Sequence, residues 1–398
     1  MGKGPLSSLK ILDFTTLLPG PFGTLLLADL GADVIRIESP GRMDLVRAMP
    51  PFDDAGKSAW HGVLGRNKRS LALDLKQPGA TDVILRLVKT YDIVLEGFRP
   101  GVMDRLGVGY EALKRVNPNV IYCALTGYGQ TGPLAKRAGH DNNYLALAGV
   151  MSHMGTEADG PKPLSLQIAD VGGGAMGAVM GILSAEIHRR TTCEGQFVDV
   201  SMFDMAWMWN ALAASEQFVT GENPQRESSL LNGGTFYGYY RTADDRFLSI
   251  GSIEPKFWIG LCQGLERFDL VNQRADPSPE AQRRIRDEIA KTVATKTLAE
   301  WMANFEPMDV CVEPVLDVDE AAAHPQALAR EMIVDVPGAD GGTQRQIGRP
   351  IKFSQNEAEY RHVGKSSGAD SDAILSEIGY SEAEIETLRQ AEVFGRNR

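Results

Sequence analysis

Three side chains in this sequence have the type and setting for proton or anion chemistry: His140, Asp170 and Glu254. His140 lies in Ala138-Gly139-His140-Asp141-Asn142-Asn143-Tyr144-Leu145, after a Gly-rich turn at 126–133 and ahead of an apolar run at 144–151. A loop entering a helix there presents orphan backbone N–H groups and a positive dipole end to an anion. It also sets a ring that titrates near neutral pH beside a pocket wall. The blander reading is that Asp141 or Asn142 caps the helix and His140 is an ordinary loop residue. Asp170 precedes Gly172-Gly173-Gly174 and a long apolar helix to Ala185. It too reads as an N-cap, but three glycines are costly there unless another segment or a ligand approaches the backbone closely. Glu254, just before Pro255, is an ordinary helix-start residue by itself.

The elements that position these groups read as alternating strand and helix. Strands are expected at 9–14, 33–38, 70–76, 93–96, 120–125 and 195–201, with helices at 24–30, 79–90, 102–106 and 110–116. That order predicts a parallel sheet with right-handed crossovers, a Rossmann-like α/β domain. The first turn lacks GxGxxG, so no dinucleotide is expected. Residues 41–61 read as a loop, and Arg66-Asn67-Lys68-Arg69 as a solvated turn or a hold for phosphates. Residues 202–219 read as one Met- and Trp-rich helix, of a composition more often core than ligand wall. A hairpin over 236–251, helices from 254 and over 279–305 and a strand at 311–317 follow. Edge strands at 333–336 and 350–351 and two helices over 371–391 complete the chain.

The chain has 398 residues and a net charge of −11. The length suggests two domains, and the acidity argues against a nucleic-acid partner. Cys123, Cys193, Cys262 and Cys311 are scattered, which implies reduced, mostly buried thiols, no zinc site and a cytoplasmic protein. No apolar run is read as long enough for a membrane span.

Seven stretches, in order, resemble one family. They are residues 20–38 (GPFGTLLLADLGADVIRIE), 67–76 (NKRSLALDLK), 96–107 (EGFRPGVMDRLG), TGYGQTGP, 138–149 (AGHDNNYLALAG), 170–176 (DVGGGAM) and 251–258 (GSIEPKFW). The chain is similar to the class III CoA-transferase superfamily, and within it to the α-methylacyl-CoA racemases. The resemblance implies an interlaced homodimer, or a paired homologous subunit. It also implies a large α/β domain over 1–224 completed by 331–398, and a small α+β domain over 225–330. It assigns His140 and Asp170 to catalysis, with Glu254 orienting the histidine. It assigns Arg36, Leu73, Asp74, Lys76, Arg99, Arg105, Gly139, Asp141, Asn142, Asn143 and Tyr144 to the acyl-CoA substrate. No metal and no separate cofactor are implied, since coenzyme A is part of the substrate.

Racemisation of a 2-methylacyl-CoA needs two bases on opposite faces of a planar enolate, roles that an imidazole and a carboxylate can fill. The alternative is CoA transfer between an acyl-CoA and a carboxylic acid. There Asp170 attacks the thioester, giving an acyl-enzyme anhydride and then an aspartyl-CoA thioester. Two features differ from the racemase pattern: Asn142 stands where the motif carries Ile, and residues 41–65 form a longer segment.

Overall fold

Six short strands, all but the last almost wholly buried, pair in parallel in the computed structural model, which describes residues 4–338 and 341–395. They are β1 (Lys10–Asp13), β2 (Asp33–Glu38), β3 (Arg69–Ala72), β4 (Ile93–Glu96), β5 (Ile121–Thr126) and β6 (Phe197–Ser201). Their order is β3-β2-β1-β4-β5-β6, so the winding reverses between β1 and β4. In an open parallel sheet the crevice at the carboxyl ends of that pair is where ligands bind. Phe14 and Leu95 close the strand pair there with a 2.8 Å hydrogen bond. Gly97, just beyond β4, comes near Thr15: a Cβ built on it would lie 3.6 Å from the threonine methyl.

The sheet and its helices form one of two compact units. That unit runs to Leu145, takes Ser165–Met208 and resumes at Pro325. Its first helices are α1 (Pro19–Asp29), α2 (Ala59–Leu64), α3 (Ala80–Leu87), α4 (Val102–Arg105), α5 (Tyr110–Val116) and α6 (Asp141–Leu147). A π-helix, Ile168–Ala175, then runs straight into α7 (Met176–Thr192), and α8 (Met202–Trp209) follows β6. One sheet face buries Val94, Tyr122 and Ala124 against Ile84, Leu87 and Leu113 of α3 and α5. On the other face α7 packs against β5, β6 and α1.

The second unit holds Ala146–Leu164 and Trp209–His324. It contains α9 (Ala211–Thr220) and an antiparallel sheet of β7 (Gly238–Arg241), β8 (Phe247–Ile250) and β9 (Val312–Pro314). Helices α10 (Pro255–Gly264), α11 (Pro279–Val293), α12 (Leu298–Phe305) and α13 (Val318–Ala323) complete it. Trp258, Ile285, Ile289, Trp301 and Phe305 fill its core with Leu248 and Ile250 of β8. The first unit then closes with α14 (Pro325–Ala329), the hairpin β10 (Ile333–Pro337) and β11 (Thr343–Ile347), α15 (Ser371–Glu377) and α16 (Glu382–Gln390). Ile374 and Leu375 of α15 are buried in the main core.

Several expectations are corrected. Residues 146–164 and 209–224 group with the second unit, not with the first as a boundary at 224 implies. The Asn210 amide donates to the Ala148 carbonyl at 3.1 Å and meets the His153 ring at 2.9 Å, and Arg226 donates to the Met154 carbonyl at 3.0 Å. The helix expected at 202–219 breaks at Asn210. Residues 41–61 are not all loop, since α2 starts at Ala59 under a Ser58 cap. The partner of β10 is the polar strand β11, not residues 350–351. Cys193 and Cys311 are exposed, while Cys123 and Cys262 are buried. The run Ile168–Thr192 is, by length and composition, apolar enough to cross a membrane. Its Gly and Ala content hides this from a search for unbroken large apolar residues. Ala178, Ile182 and Ala185 are buried within its unit, as in a core helix.

The Arg66–Arg69 cluster is neither solvated nor open to phosphates. Arg66 pairs with Asp29, and Arg69 with Asp33 and Glu377. The Asn67 amide donates to Asp29 and to the Glu359 carbonyl, both at 2.9 Å. The fully buried Lys68 ammonium donates to the Thr24 hydroxyl at 2.6 Å and the Pro21 carbonyl at 2.8 Å, with Asp13 at 3.5 Å. These bonds tie α1 and β1 to the start of β3. Burying such cations is tolerable only because each has its acceptors.

Candidate active site

Helix α6 begins at Asp141, so the loop-to-helix junction falls directly after His140. The His140 carbonyl accepts the Asn143 and Tyr144 amides at 2.8 and 3.3 Å. The Asn143 side chain reaches back to the His140 N–H at 3.0 Å. His140 is therefore the capping position and Asn143 its reciprocal partner. The imidazole is left exposed. Asp141 is not used on its own helix. Its carboxylate accepts the Asp170 N–H at 3.0 Å, joining the start of α6 to the π-helix.

Asp170 is half-buried on the first turn of that π-helix. Desolvation raises its carboxyl, the Asp141 charge raises it further, and His140 opposes both, leaving it pushed up to about 6. The structure thus brings His140, Asp141 and Asp170 within electrostatic reach of one another. Tyr144 packs behind them, its hydroxyl donating to the Gly139 carbonyl at 2.5 Å. Burial, Asp170, Tyr128 and Asp141 all push the Tyr144 phenol upward. Its ring lies edge-on to Tyr128 at 5.2 Å. A Cβ at Gly127 or Gly139 would come within 2.6 or 2.7 Å of that ring, which is why glycine stands at both.

Two of the three glycines serve packing. A Cβ at Gly173 would stand 2.9 Å from the Met205 Cβ, and one at Gly174 would stand 2.8 Å from the Met202 Cγ. On the α1 side, a Cβ at Gly23 would meet the Ala175 carbonyl oxygen at 3.2 Å. The π-helix is therefore clasped between α1 and α8, and π-helical turns are common where a helix carries a functional group.

The residues expected to hold CoA divide. Lys76, Arg99 and Arg105 are exposed beyond the carboxyl ends of β3 and β4, and none forms an ion pair among the described residues. Arg36 is the exception. Its side chain is 3% exposed, paired with Asp44 and 3.9 Å from Glu38, with His61 beside it, so it is part of the interior and not of a binding surface. Leu73 and Asp74 spend their amides on the Glu38 and Val393 carbonyls, and the Asp74 carboxylate accepts the Lys76 N–H at 3.1 Å. Asn142 is exposed at the first turn of α6. Lys136 and Arg137 are two further exposed cations without ion pairs among the described residues, immediately before Ala138-Gly139-His140-Asp141. The sequence signal for them was a basic doublet beside the His motif, which the reading of motif residues alone passes over.

Glu254 belongs to the other unit. It precedes α10, its carbonyl accepts the Trp258 amide at 2.9 Å, and its carboxylate makes no hydrogen bond or ion pair among the described residues. Also among the described residues, no three His, Cys, Asp or Glu side chains gather as a metal site.

The family model of CoA-transferase family III matches residues 6–370. The chain is 36% identical to the α-methylacyl-CoA racemase of Homo sapiens, over 99% of this chain and 98% of that protein. It is 34% identical to the acetyl-CoA:oxalate CoA-transferase of Acetobacter aceti, over 91% of this chain and 92% of that one. A crystal structure of a CaiB/BaiF family protein from Brucella suis superposes with a TM-score of 0.83 at 28% identity, covering 94% of this chain and 100% of the other.

Proposed function

The chain belongs to CoA-transferase family III, and from that premise we propose that it racemises or epimerises 2-methylacyl-CoA thioesters by 1,1-proton transfer. The observation that carries this reading is the Asp170 carboxyl, tied by its backbone to the residue after His140, within the electrostatic influence of His140 and pushed up to about 6. One group, as a base, takes the α-proton, and the C–H electron pair moves onto the thioester oxygen as an enolate. The other, as an acid, returns a proton to the opposite face. An imidazole and a carboxyl pushed up to about 6 can each act as acid or base, so the reaction runs in both directions. The enolate oxygen needs donors, for which the Asp141 and Asn142 N–H groups, ahead of the amides spent on the His140 carbonyl, are suited.

Glu254 would orient the His140 ring and raise its basicity through a hydrogen bond. Lys76, Arg99 and Arg105 would meet the phosphates of the coenzyme, which is part of the substrate. Gly139, Asp141, Asn142, Asn143 and Tyr144 would frame the thioester end.

A second reading is favoured by the transferase relatives, whose identity is nearly that of the racemases. In it the Asp170 carboxylate attacks the thioester carbonyl and expels the CoA thiolate, leaving a mixed anhydride. The thiolate then attacks the aspartyl carbonyl, releasing the first carboxylic acid and leaving an aspartyl thioester, which an acceptor carboxylate opens. That route leaves His140 without a task.

Incubation with a 2-methylacyl-CoA in D₂O separates the two. Loss of the α-hydrogen signal without an acceptor acid, abolished in His140→Ala, supports the racemase. Absence of exchange, together with CoA transfer to an added carboxylic acid that disappears in Asp170→Ala, establishes the transferase instead.

A further inference from the structure

The Asp141 carboxylate has a role that its place in the helix does not explain. A residue on the first turn of a helix ordinarily spends its side chain on the orphan amides of that helix. Here Asn143 performs the reciprocal cap on His140. Asp141 instead reaches across to the amide of Asp170, 29 residues on, at 3.0 Å. That amide lies in the first turn of the π-helix and, like those of any helix start, lacks a partner from its own helix. A carboxylate that fixes the Asp170 backbone also stands, unavoidably, beside the Asp170 side chain.

We propose that Asp141 is a positioning residue for Asp170, fixing its backbone through the cross-helix hydrogen bond and setting a second carboxylate beside its side chain. The proposal rests on the proton-transfer reading above. Burial alone sets the carboxyl in a poorly solvated position, and the neighbouring negative charge acts in the same direction. His140 is the opposing influence. The other elements against the π-helix bring little to compete. The one charged residue of α1, Asp29, is engaged with Arg66, and Asp204 of α8 bears on Asp199. The acidic and basic groups of α7 lie at its far end, where Glu186 binds Arg189 and Arg190. The Tyr144 phenol is spent on Gly139. Asp141 is thus the nearby group whose removal should release the carboxyl.

Asp141→Asn keeps an oxygen acceptor for the Asp170 amide and removes the charge, whereas Asp141→Ala removes both. The Asp170 carboxyl is titrated by carbon-13 NMR in aspartate-labelled protein, with its resonance assigned by its loss in Asp170→Asn. In parallel, α-deuterium exchange into a 2-methylacyl-CoA is followed against pH. In Asp141→Asn the carboxyl midpoint should fall by roughly 1 pH unit, and the acid limb of exchange should move down with it. In Asp141→Ala exchange should fall by about 10²-fold at its optimum, because the carboxyl is no longer held in place. A midpoint unchanged in Asp141→Asn overturns the proposal, and so does an Asp141→Ala variant that exchanges like the wild type. If Asp141→Ala does not fold, the near-isosteric Asp141→Asn decides alone. The NMR titration needs no turnover. A midpoint that falls in a protein that never exchanges the α-proton upholds the coupling and retires the racemase reading. A fixed midpoint with exchange intact retires only the coupling.

Discussion

Asp170 is asked to be ionisable in a place that disfavours ionisation. Its carboxyl is raised from 3.8 to about 6, so the native state binds its proton more tightly than the unfolded chain does. Stability from this group is therefore fullest below about pH 4 and is lost as pH rises through about 6. At pH 7 the ionised, half-buried carboxylate is a net liability. Asp170→Asn should accordingly stabilise the protein at pH 7 by roughly 1–2 kcal/mol, discounted for partial solvent access, while abolishing activity. Thermal unfolding of both proteins at pH 7 and pH 4 checks this, since the advantage should vanish at the lower pH. On the proposed reading the exposed cations would act at a different stage. Arg105 has no carboxylate partner among the described residues, so Arg105→Ala should leave the fold intact and would remove binding common to ground and transition states. A KM raised roughly tenfold with kcat unchanged is expected in steady-state kinetics with an acyl-CoA. At this scale the sequence was legible where chemistry is local, as in His140 beside Asp141 in a loop-to-helix motif. It was opaque where burial decides. Arg36 reads as a free cation until Asp44 and Glu38 are seen folded against it.

At the scale of elements, the parallel strands announced themselves as short apolar runs, and all six expected positions became β1–β6. The misses have physical causes. Strand β11, Thr343-Gln-Arg-Gln-Ile347, is polar because it pairs only with β10 and leaves most of its residues in solvent. The break between α8 and α9 falls at Asn210, whose side chain bonds to Ala148 and His153, and such long-range partners leave no local trace. The triple glycine was recognised as a sign of close approach, but only the structure says that α8, not a ligand, makes it. That assignment is testable. An alanine usually gains about 1 kcal/mol over glycine in a helix, yet at Gly173 its Cβ would lie 2.9 Å from the Met205 Cβ, an atom that cannot swing away. Gly173→Ala should therefore destabilise the protein by about 1–2 kcal/mol net of that gain. It should also displace Asp170, lowering kcat more than it raises KM. Urea unfolding with kinetics on the same preparation reads both effects. A variant more stable than wild type would show that the clasp around the π-helix is loose.

At the scale of the whole molecule, what stands out is exposed apolar surface on the helices of each unit. In the first unit Met180, Ile187 and Met208 are 56%, 67% and 69% exposed on α7 and α8. In the second, Leu212, Phe218 and Val219 on α9 are 83%, 76% and 87% exposed. Single exposed apolar residues are ordinary, but whole helical faces of them usually mark an association surface. A second copy of the chain is the occupant that the family resemblance implies, and the net charge of −11 leaves a partner no basic attraction, so the driving force must be apolar. The expectation is a dimer that persists in high salt, because burial of apolar surface is not screened as ion pairs are. Sedimentation equilibrium of the wild type in dilute buffer and in 1 M salt should give the dimer mass in both. Leu212→Asp with Phe218→Asp should shift the population to monomer, because a buried, unpaired carboxylate costs several kcal/mol at an interface. A double variant that remains dimeric would place the contact on another face. A wild type that sediments as a monomer would leave these helices to a different partner.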